Sequence, residues 1–161
     1  AWRAGWEMFK DHPLTGVGSM QFPNANGAKY WPNQRNPVWL NAHSLYFQVL
    51  GELGLLGTLI FLLFVVNLLR TNKRLGHILS GDGSTARWLQ AFPLACTLSL
   101  VVLLFAGYSS HNLYRSTWYL LAGLSASLYA MASRKLSPEE RSLDHAASPS
   151  REWLLAPGVE S

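Results

Sequence analysis

The sequence is short of charge and of cysteine. Only 14% of its 161 residues are charged, whereas 49% are hydrophobic. Soluble domains carry about 25% charged residues, and long stretches of this chain carry none. This deficit indicates a membrane protein rather than a soluble core. The single cysteine, Cys96, excludes an internal disulfide and a cysteine-based metal site, and it is expected to be a small buried apolar residue.

Motifs for several chemistries are also missing. The sequence has no Asp-x-Asp, no His-Glu-x-x-His and no cluster of carboxylates in its first 43 residues. We therefore expect chemistry without a metal or another cofactor. The Gly-x-Gly of "HPLTGVGSMQF" lacks the strand–turn–helix context of a nucleotide site, so it is expected to form a turn. Basic residues flank apolar runs, which favours membrane topology over nucleic-acid binding.

The pattern of apolar residues predicts an all-α, polytopic membrane protein. Residues 1–12 are predicted to form an amphipathic helix that ends at Pro13, and residues 13–40 a loop rich in Gly and Pro. About three transmembrane helices follow, the third at the short end of the spanning range. They are expected at residues 44–70, 88–109 and 116–132. The chain begins with alanine and has no export signal, so we expect the carboxy-terminal part of a larger protein.

The basic residues predict how these segments are oriented. The polar segment 70–87 and the pair Arg134 and Lys135 flank an even number of spans, so they share one side, and their charge predicts the cytoplasm. Residues 1–43 are then a periplasmic amphipathic helix and loop, and residues 44–132 form the membrane domain. Residues 133–161, rich in Ser, Pro, Glu and Ala, are expected to be a disordered cytoplasmic tail.

Two residues on the predicted outer side are candidates for catalysis or binding. His43 opens the first span, where histidine is suited to act as a general base; the alternative is an interfacial histidine that hydrogen-bonds a loop carbonyl. Arg3 lies beside tryptophans and is suited to clamp a phosphate; the alternative is an i,i+4 ion pair with Glu7.

Other features of the predicted outer side and first span favour structural roles. Glu52 is ionisable and close to the membrane, and a structural or positioning role is favoured for it. His111 and Arg115 lie in the short second outer turn, where anchoring to head groups is favoured over an anion site. Glycines recur every third residue in the first span and suit a close approach by a neighbouring helix. They are Gly51, Gly54 and Gly57.

The order of these segments resembles a known family. An arginine and tryptophan in an amphipathic helix precede "HPLTGVGSMQF", and His43 then opens "AHSLYFQVLGELGLLGTLIFL". This arrangement resembles the O-antigen ligase and O-antigen polymerase superfamily over residues 1 to about 132, most strongly over residues 1–64. It is most similar to O-antigen ligases and to exosortase-associated O-glycosylation ligases. Ser44 stands where many members have asparagine, so the subfamily stays open.

The resemblance implies a multi-pass glycosyltransferase of the bacterial inner membrane. Such enzymes take a glycan from an undecaprenyl-pyrophosphate carrier on the periplasmic face and transfer it to an acceptor hydroxyl of a lipid, protein or sugar. By this resemblance His43 is the catalytic histidine and Arg3 binds the donor pyrophosphate. Two alternatives stay open. One is a polymerase of repeat units, and the other is a non-catalytic membrane subunit of a polysaccharide export system.

Overall fold

A computed structural model describes residues 2–31, 33, 35–36, 38–81, 87–110 and 112–135. This part of the chain is helical and contains no strand, as predicted. Its elements are α1 (Trp2–Asp11), α2 (Phe22–Ala25), a π-helix (Asn26–Tyr30), α3 (Leu45–Gly81), α4 (Arg87–Ala106) and α5 (Ser116–Lys135).

Two of the described helices are long and apolar enough to cross a membrane. They are Leu45–Ser80 within α3 and α4. The third predicted span is also helical, as α5, but it is not among these two. Many large apolar side chains on all three helices are exposed, for example Leu63, Val102 and Leu120. Exposed apolar surface of this extent is typical of contact with lipid or with other membrane helices.

Three predicted element boundaries were wrong. The helix expected to end at residue 70 continues to Gly81, so residues 70–81 are helical and not a polar loop. The loop predicted for residues 13–40 contains α2 and the π-helix. Helix α5 runs to Lys135, beyond the predicted boundary at 133, and the rest of the predicted tail, residues 136–161, lies outside the described residues.

Helix α3 is broken near its start, at Gly54. The backbone there has φ 63° and ψ −160°, far from helical values. A break leaves carbonyls before it and N–H groups after it without helical partners, and such groups are costly at membrane depth. Residues 13–18, which we call the docked loop, satisfy them.

The hydrogen bonds between the docked loop and α3 join main chain to main chain. The N–H groups of Leu55 and Leu56 donate to the carbonyls of Pro13 and Leu14, at 2.8 and 3.1 Å. In return, the N–H groups of residues 17 and 18 donate to the carbonyls of residues 51 and 52, both at 2.9 Å. The Gly-x-Gly segment, expected to form a turn, instead pairs with the broken helix and completes it, and turns flank it at residues 13–15 and 19–20.

The ends of the helices fall into two groups. The turn between α4 and α5 lies at the end of the bundle that holds α1 and the start of α3. There the Leu45 N–H donates to the Gly107 carbonyl at 2.6 Å, and the Trp2 and Tyr108 rings are 5.2 Å apart. At the opposite end, Leu75 and Leu79 of α3 pack with Ala132 of α5. The basic segments after residue 70 and at residue 134 therefore share one end of the bundle, as expected for segments separated by an even number of spans.

Candidate functional site

The docked loop positions a buried carboxylate beside the break. Glu52 is fully buried, and its two oxygens accept three hydrogen bonds. The Phe22 N–H donates to Oε1 at 3.0 Å, and the Met20 N–H donates to Oε2 at 3.1 Å. The Tyr114 hydroxyl donates to Oε2 at 2.5 Å. A buried carboxylate is costly unless hydrogen bonds satisfy it, and here they come from two other segments of the chain.

Tyr114 links the α4–α5 turn to this carboxylate. Its hydroxyl oxygen accepts hydrogen bonds from the Ser19 hydroxyl at 2.9 Å and from the Met20 N–H at 3.1 Å. Burial, followed by the hydrogen bond to Glu52, raises the pKa of Tyr114. The phenol thus stays protonated and donates throughout the neutral range. The structural role favoured for Glu52 agrees with this geometry, because the carboxylate joins α3, the loop and the second turn.

Helix α1 lies against the start of α3 through small residues. The buried positions of α1 are Ala4, Gly5 and Met8, and a Cβ atom on Gly5 would lie 2.8 Å from the Phe47 carbonyl oxygen. A Cβ atom on Gly51 would lie 3.2 Å from the Gly5 Cα atom. Gly51 therefore sits at the predicted close helix contact.

The other two glycines of the first span have different neighbours. Gly54 forms the helix break, and a Cβ atom added there would clash with the main chain of Leu14 and Gly16 in the docked loop. The nearest atoms to a Cβ added at Gly57 belong to Leu53 of its own helix, so a contact between helices at Gly57 stays a prediction.

The polar face of α1 lines a pocket. The pocket has a volume of about 430 Å³ and lies between α1 and the π-helix. Ligand pockets of proteins typically have volumes of about 300–1,000 Å³. Its lining residues are Arg3, Ala4, Glu7, Asn26, Lys29, Tyr30 and Trp31. The pocket thus combines two cationic side chains, one carboxylate and two aromatic rings.

Arg3 is exposed and has no ion pair or hydrogen bond within the described part of the chain. Glu7, which the alternative paired with Arg3, forms its ion pair with Lys10 instead, at 2.7 Å. The guanidinium on the pocket wall is therefore available to a ligand, with a carboxylate nearby that moderates its charge.

An acidic residue fixes the opposite wall of the pocket. Asp11 Oδ2 accepts a hydrogen bond from Lys29 at 2.7 Å and another from the Tyr30 hydroxyl at 2.8 Å. The hydrogen bond from Lys29, followed by that from Tyr30, lowers the pKa of Asp11. The same carboxylate raises the pKa of Lys29. Asp11 thus holds the π-helix against α1 and keeps a protonated amine at the pocket.

His43 lies just before α3, and its backbone is unusual. Its φ angle is 51°, in the left-handed region that few residues other than glycine adopt. Such conformations cluster at functional sites because the surrounding structure must hold them. The side chain is exposed, and the Trp2 indole N–H lies 3.5 Å from the His43 carbonyl oxygen. The residue before Arg3 therefore contacts the main chain of His43.

The predicted site residues lie at one end of the molecule but not in one pocket. His43 is not among the residues that line the Arg3 pocket, and Glu52 is buried with the docked loop. Lys29 and Tyr114 were not predicted. Neither residue carries a local signal in the sequence, because their partners Asp11 and Glu52 lie 18 and 62 residues away. Predicted roles for His111 fall outside the described residues.

Asn41 and Ser44 lie just before the start of α3 and are of residue types that can cap a helix. Among the described residues neither side chain bonds to its first turn, and the Gly107 carbonyl takes the first N–H. The Ser44 carbonyl does begin the helical pattern, by accepting from the Gln48 N–H at 3.0 Å. The helix start is therefore fixed by the distant α4–α5 turn.

Comparison with known proteins agrees with the resemblance seen in the sequence. Residues 1–62 match the family model described as O-Antigen ligase. No curated protein and no solved structure matches the chain. The matched stretch contains α1, the docked loop, His43 and the helix break with Glu52. Together with two helices able to span a membrane, the match indicates a membrane protein in which residues 1–62 form an O-antigen ligase-like region.

Proposed function

We propose that the protein transfers a glycan from an undecaprenyl-pyrophosphate carrier to an acceptor hydroxyl on the periplasmic face of the bacterial inner membrane. The observation that carries this proposal is the unpaired guanidinium of Arg3 on a pocket at the same end as His43, within the matched residues 1–62. The tryptophans of α1 support a place at the membrane surface, since Trp2 and Trp6 are about half exposed.

The proposed reaction divides the chemistry between two side chains. The bond between the anomeric carbon and the pyrophosphate oxygen breaks, and a bond from that carbon to the acceptor oxygen forms. The acceptor proton passes to the His43 imidazole, and the carrier pyrophosphate leaves as an anion. Arg3, with Lys29 across the pocket, stabilises the charge of the leaving group, as fixed cations do in preorganised sites. We propose that this occurs without a metal.

Replacing the histidine tests the proton transfer. His43→Ala is expected to abolish glycan transfer from a lipid-linked donor, measured with the purified full-length protein, while membrane insertion is retained. A lost general base costs about 100- to 10,000-fold in rate. The matched control is His12→Ala, an exposed histidine after α1 that lies outside the pocket lining. Normal transfer by the His43 variant would exclude the catalytic role.

Replacing the arginine tests donor binding. Arg3→Ala is expected to raise the KM for the lipid-linked donor, and Arg3→Lys is expected to retain part of the affinity because it keeps the charge but loses the planar fork. The control is Lys10→Ala, which removes a cation of the same helix that is paired with Glu7. Unchanged donor kinetics in Arg3→Ala would contradict the pyrophosphate role.

Glycan length separates transfer to an acceptor from polymerisation, which the family match also allows. Deleting the gene of a ligase leaves long polymer on the carrier, whereas deleting that of a polymerase leaves single repeat units. The proposal of a ligase predicts long carrier-linked polymer in the deletion strain.

A further inference from the structure

A second concave site lies at the end of the bundle away from His43. It is a groove of about 560 Å³ between the last turns of α3 and the first turns of α4. Gly76 and Pro93 face each other across it, since a Cβ atom on Gly76 would lie 3.8 Å from the Pro93 Cβ atom. Its walls are apolar towards the middle of the helices, at Leu69 and Leu94, and polar towards their ends, at Lys73 and His77.

A buried amide in this groove has no partner. Asn72 is 1% exposed, lines the groove, and neither its Oδ1 nor its Nδ2 atom makes a hydrogen bond within the described residues. Leaving a buried amide unpaired costs free energy. A side chain of this kind on the wall of an open groove indicates a ligand that supplies the missing hydrogen bonds.

The charge and position of the groove indicate the class of ligand. Lys73 is exposed on its wall, and Arg70 and Arg74 lie exposed on the adjacent surface of α3. The segment Leu55–Gly81 would be about 40 Å long as a straight helix, whereas the hydrocarbon core is about 30 Å thick. The end of α3 therefore reaches the head-group region. Basic pockets between membrane helices at this depth suit acidic lipid head groups.

We infer that the groove binds an anionic phospholipid. The lipid phosphate contacts the Lys73 ammonium and the His77 ring, and the Asn72 amide pairs with the ester or glycerol region of the lipid. The first methylene groups of its chains lie along Leu69 and Leu94. A free phosphate ion would satisfy the cation but would leave the apolar wall and the deeper amide uncovered.

Native mass spectrometry of the full-length protein tests this inference. Retention of phosphatidylglycerol is compared with that of phosphatidylcholine, which has the same phosphate but no net charge. The wild type is expected to retain phosphatidylglycerol preferentially, and Lys73→Gln is expected to weaken this retention about fivefold. The matched control is Arg74→Gln, which removes the same charge from the neighbouring position of α3, outside the groove lining. It is expected to change retention less than twofold.

A second variant separates binding from folding. Asn72→Leu keeps the size of the side chain, removes an unpaired buried amide and is expected to fold, yet to retain less of both lipids, because the ester region that Asn72 contacts is common to them. Equal losses in Lys73→Gln and Arg74→Gln would show diffuse charge attraction and overturn the site. Displacement of the lipid by millimolar inorganic phosphate would overturn the lipid assignment. A wild type that retains no lipid would also overturn the lipid assignment, because the groove would then be filled by another part of the protein.

Discussion

Helix α3 carries two buried polar side chains, Glu52 and Asn72, whose surroundings differ. Glu52 has three hydrogen-bond donors from residues 20, 22 and 114. Asn72 has none within the described residues. The first lies among segments of this chain that fold back on α3, whereas the second lies in a groove open at the other end. Elsewhere among the described residues, Gln48 and Asn112 each leave one buried side-chain oxygen without a hydrogen bond.

At one end of α3 the buried carboxylate receives its hydrogen bonds from this chain. At the other end the buried amide needs another molecule to supply them. Around Glu52, main-chain and side-chain hydrogen bonds come from two other segments, so the geometry is fixed by residues of this chain. Asn72 instead lines the groove between α3 and α4, and no described residue supplies a hydrogen bond to its amide. The O-antigen ligase match ends at residue 62, so it includes Glu52 and its two main-chain donors but neither Tyr114 nor Asn72.

The largest loss of stability at the Glu52 end of α3 is expected from a substitution in the docked loop. A Cβ atom on Gly16 would lie 2.3 Å from the Glu52 carbonyl carbon, and Gly16 has φ 65°. Gly16→Ala is therefore expected to lower the free energy of unfolding by about 2–4 kcal/mol, measured as loss of thermal stability of the detergent-solubilised protein.

The control for this variant is Gly123→Ala in α5, where an added Cβ meets nothing within 4 Å. Alanine there is expected to stabilise the helix by up to about 1 kcal/mol. Equal effects of the two substitutions would mean that the loop does not hold the break in α3.

A smaller effect is expected when one donor to the carboxylate is removed. Tyr114→Phe leaves Glu52 with two donors and is expected to lower the free energy of unfolding by about 1.5–3 kcal/mol, the usual range for a hydrogen bond to a charged group. Chemical denaturation would measure the change. Tyr119→Phe removes a hydroxyl from a ring that is 69% exposed and is expected to change little. An unchanged free energy of unfolding in Tyr114→Phe would show that Glu52 does not depend on the second turn.

The smallest effect concerns the ion pair at the wall of the Arg3 pocket. The Lys29 ammonium and the Tyr30 hydroxyl lower the pKa of Asp11 below its usual 3.8. The contact therefore stabilises the fold above that pH, and the stabilisation is lost as the pH falls through the lower folded value. The raised pKa of Lys29, whose usual value is 10.5, keeps the amine charged through neutral pH.

Thermal unfolding between pH 2 and pH 5 would test this contact. The wild type is expected to lose stability over that window, and Asp11→Asn is expected to flatten the part of the profile that comes from the pair. Identical profiles for the two proteins would show that the pair is not formed in solution.

The sequence predicted the helices more reliably than their ends and joints. Long runs without charge identified α3 and α4, and the period of α1 identified its polar and aromatic faces. The predicted end of α3 was too early, because a helix can continue beyond the lipid through charged residues such as those after Arg70. The break at Gly54 was missed because apolar residues continue through it; only its pairing with residues 13–18, some forty positions earlier, reveals it.

The candidate site was predicted in part for the same reason. His43 and Glu52 became candidates because a lone polar residue stands out at the edge of an apolar run, and Arg3 because it lies beside tryptophans in an amphipathic helix. Lys29 and Tyr114 belong to segments rich in polar residues, where nothing distinguishes them locally. Their importance comes from partners that are distant in the sequence, Asp11 and Glu52.

The joint between the docked loop and α3 has a consequence for how the protein can vary. Since carbonyls and N–H groups of the main chain make the four bonds, the side chains of Leu14, Thr15 and Val17 can be exchanged without cutting any of them. What the joint demands is two residues without a side chain, Gly16 and Gly54. An insertion or deletion between them is therefore expected to be tolerated where it leaves residues 13–18 and 51–56 able to pair.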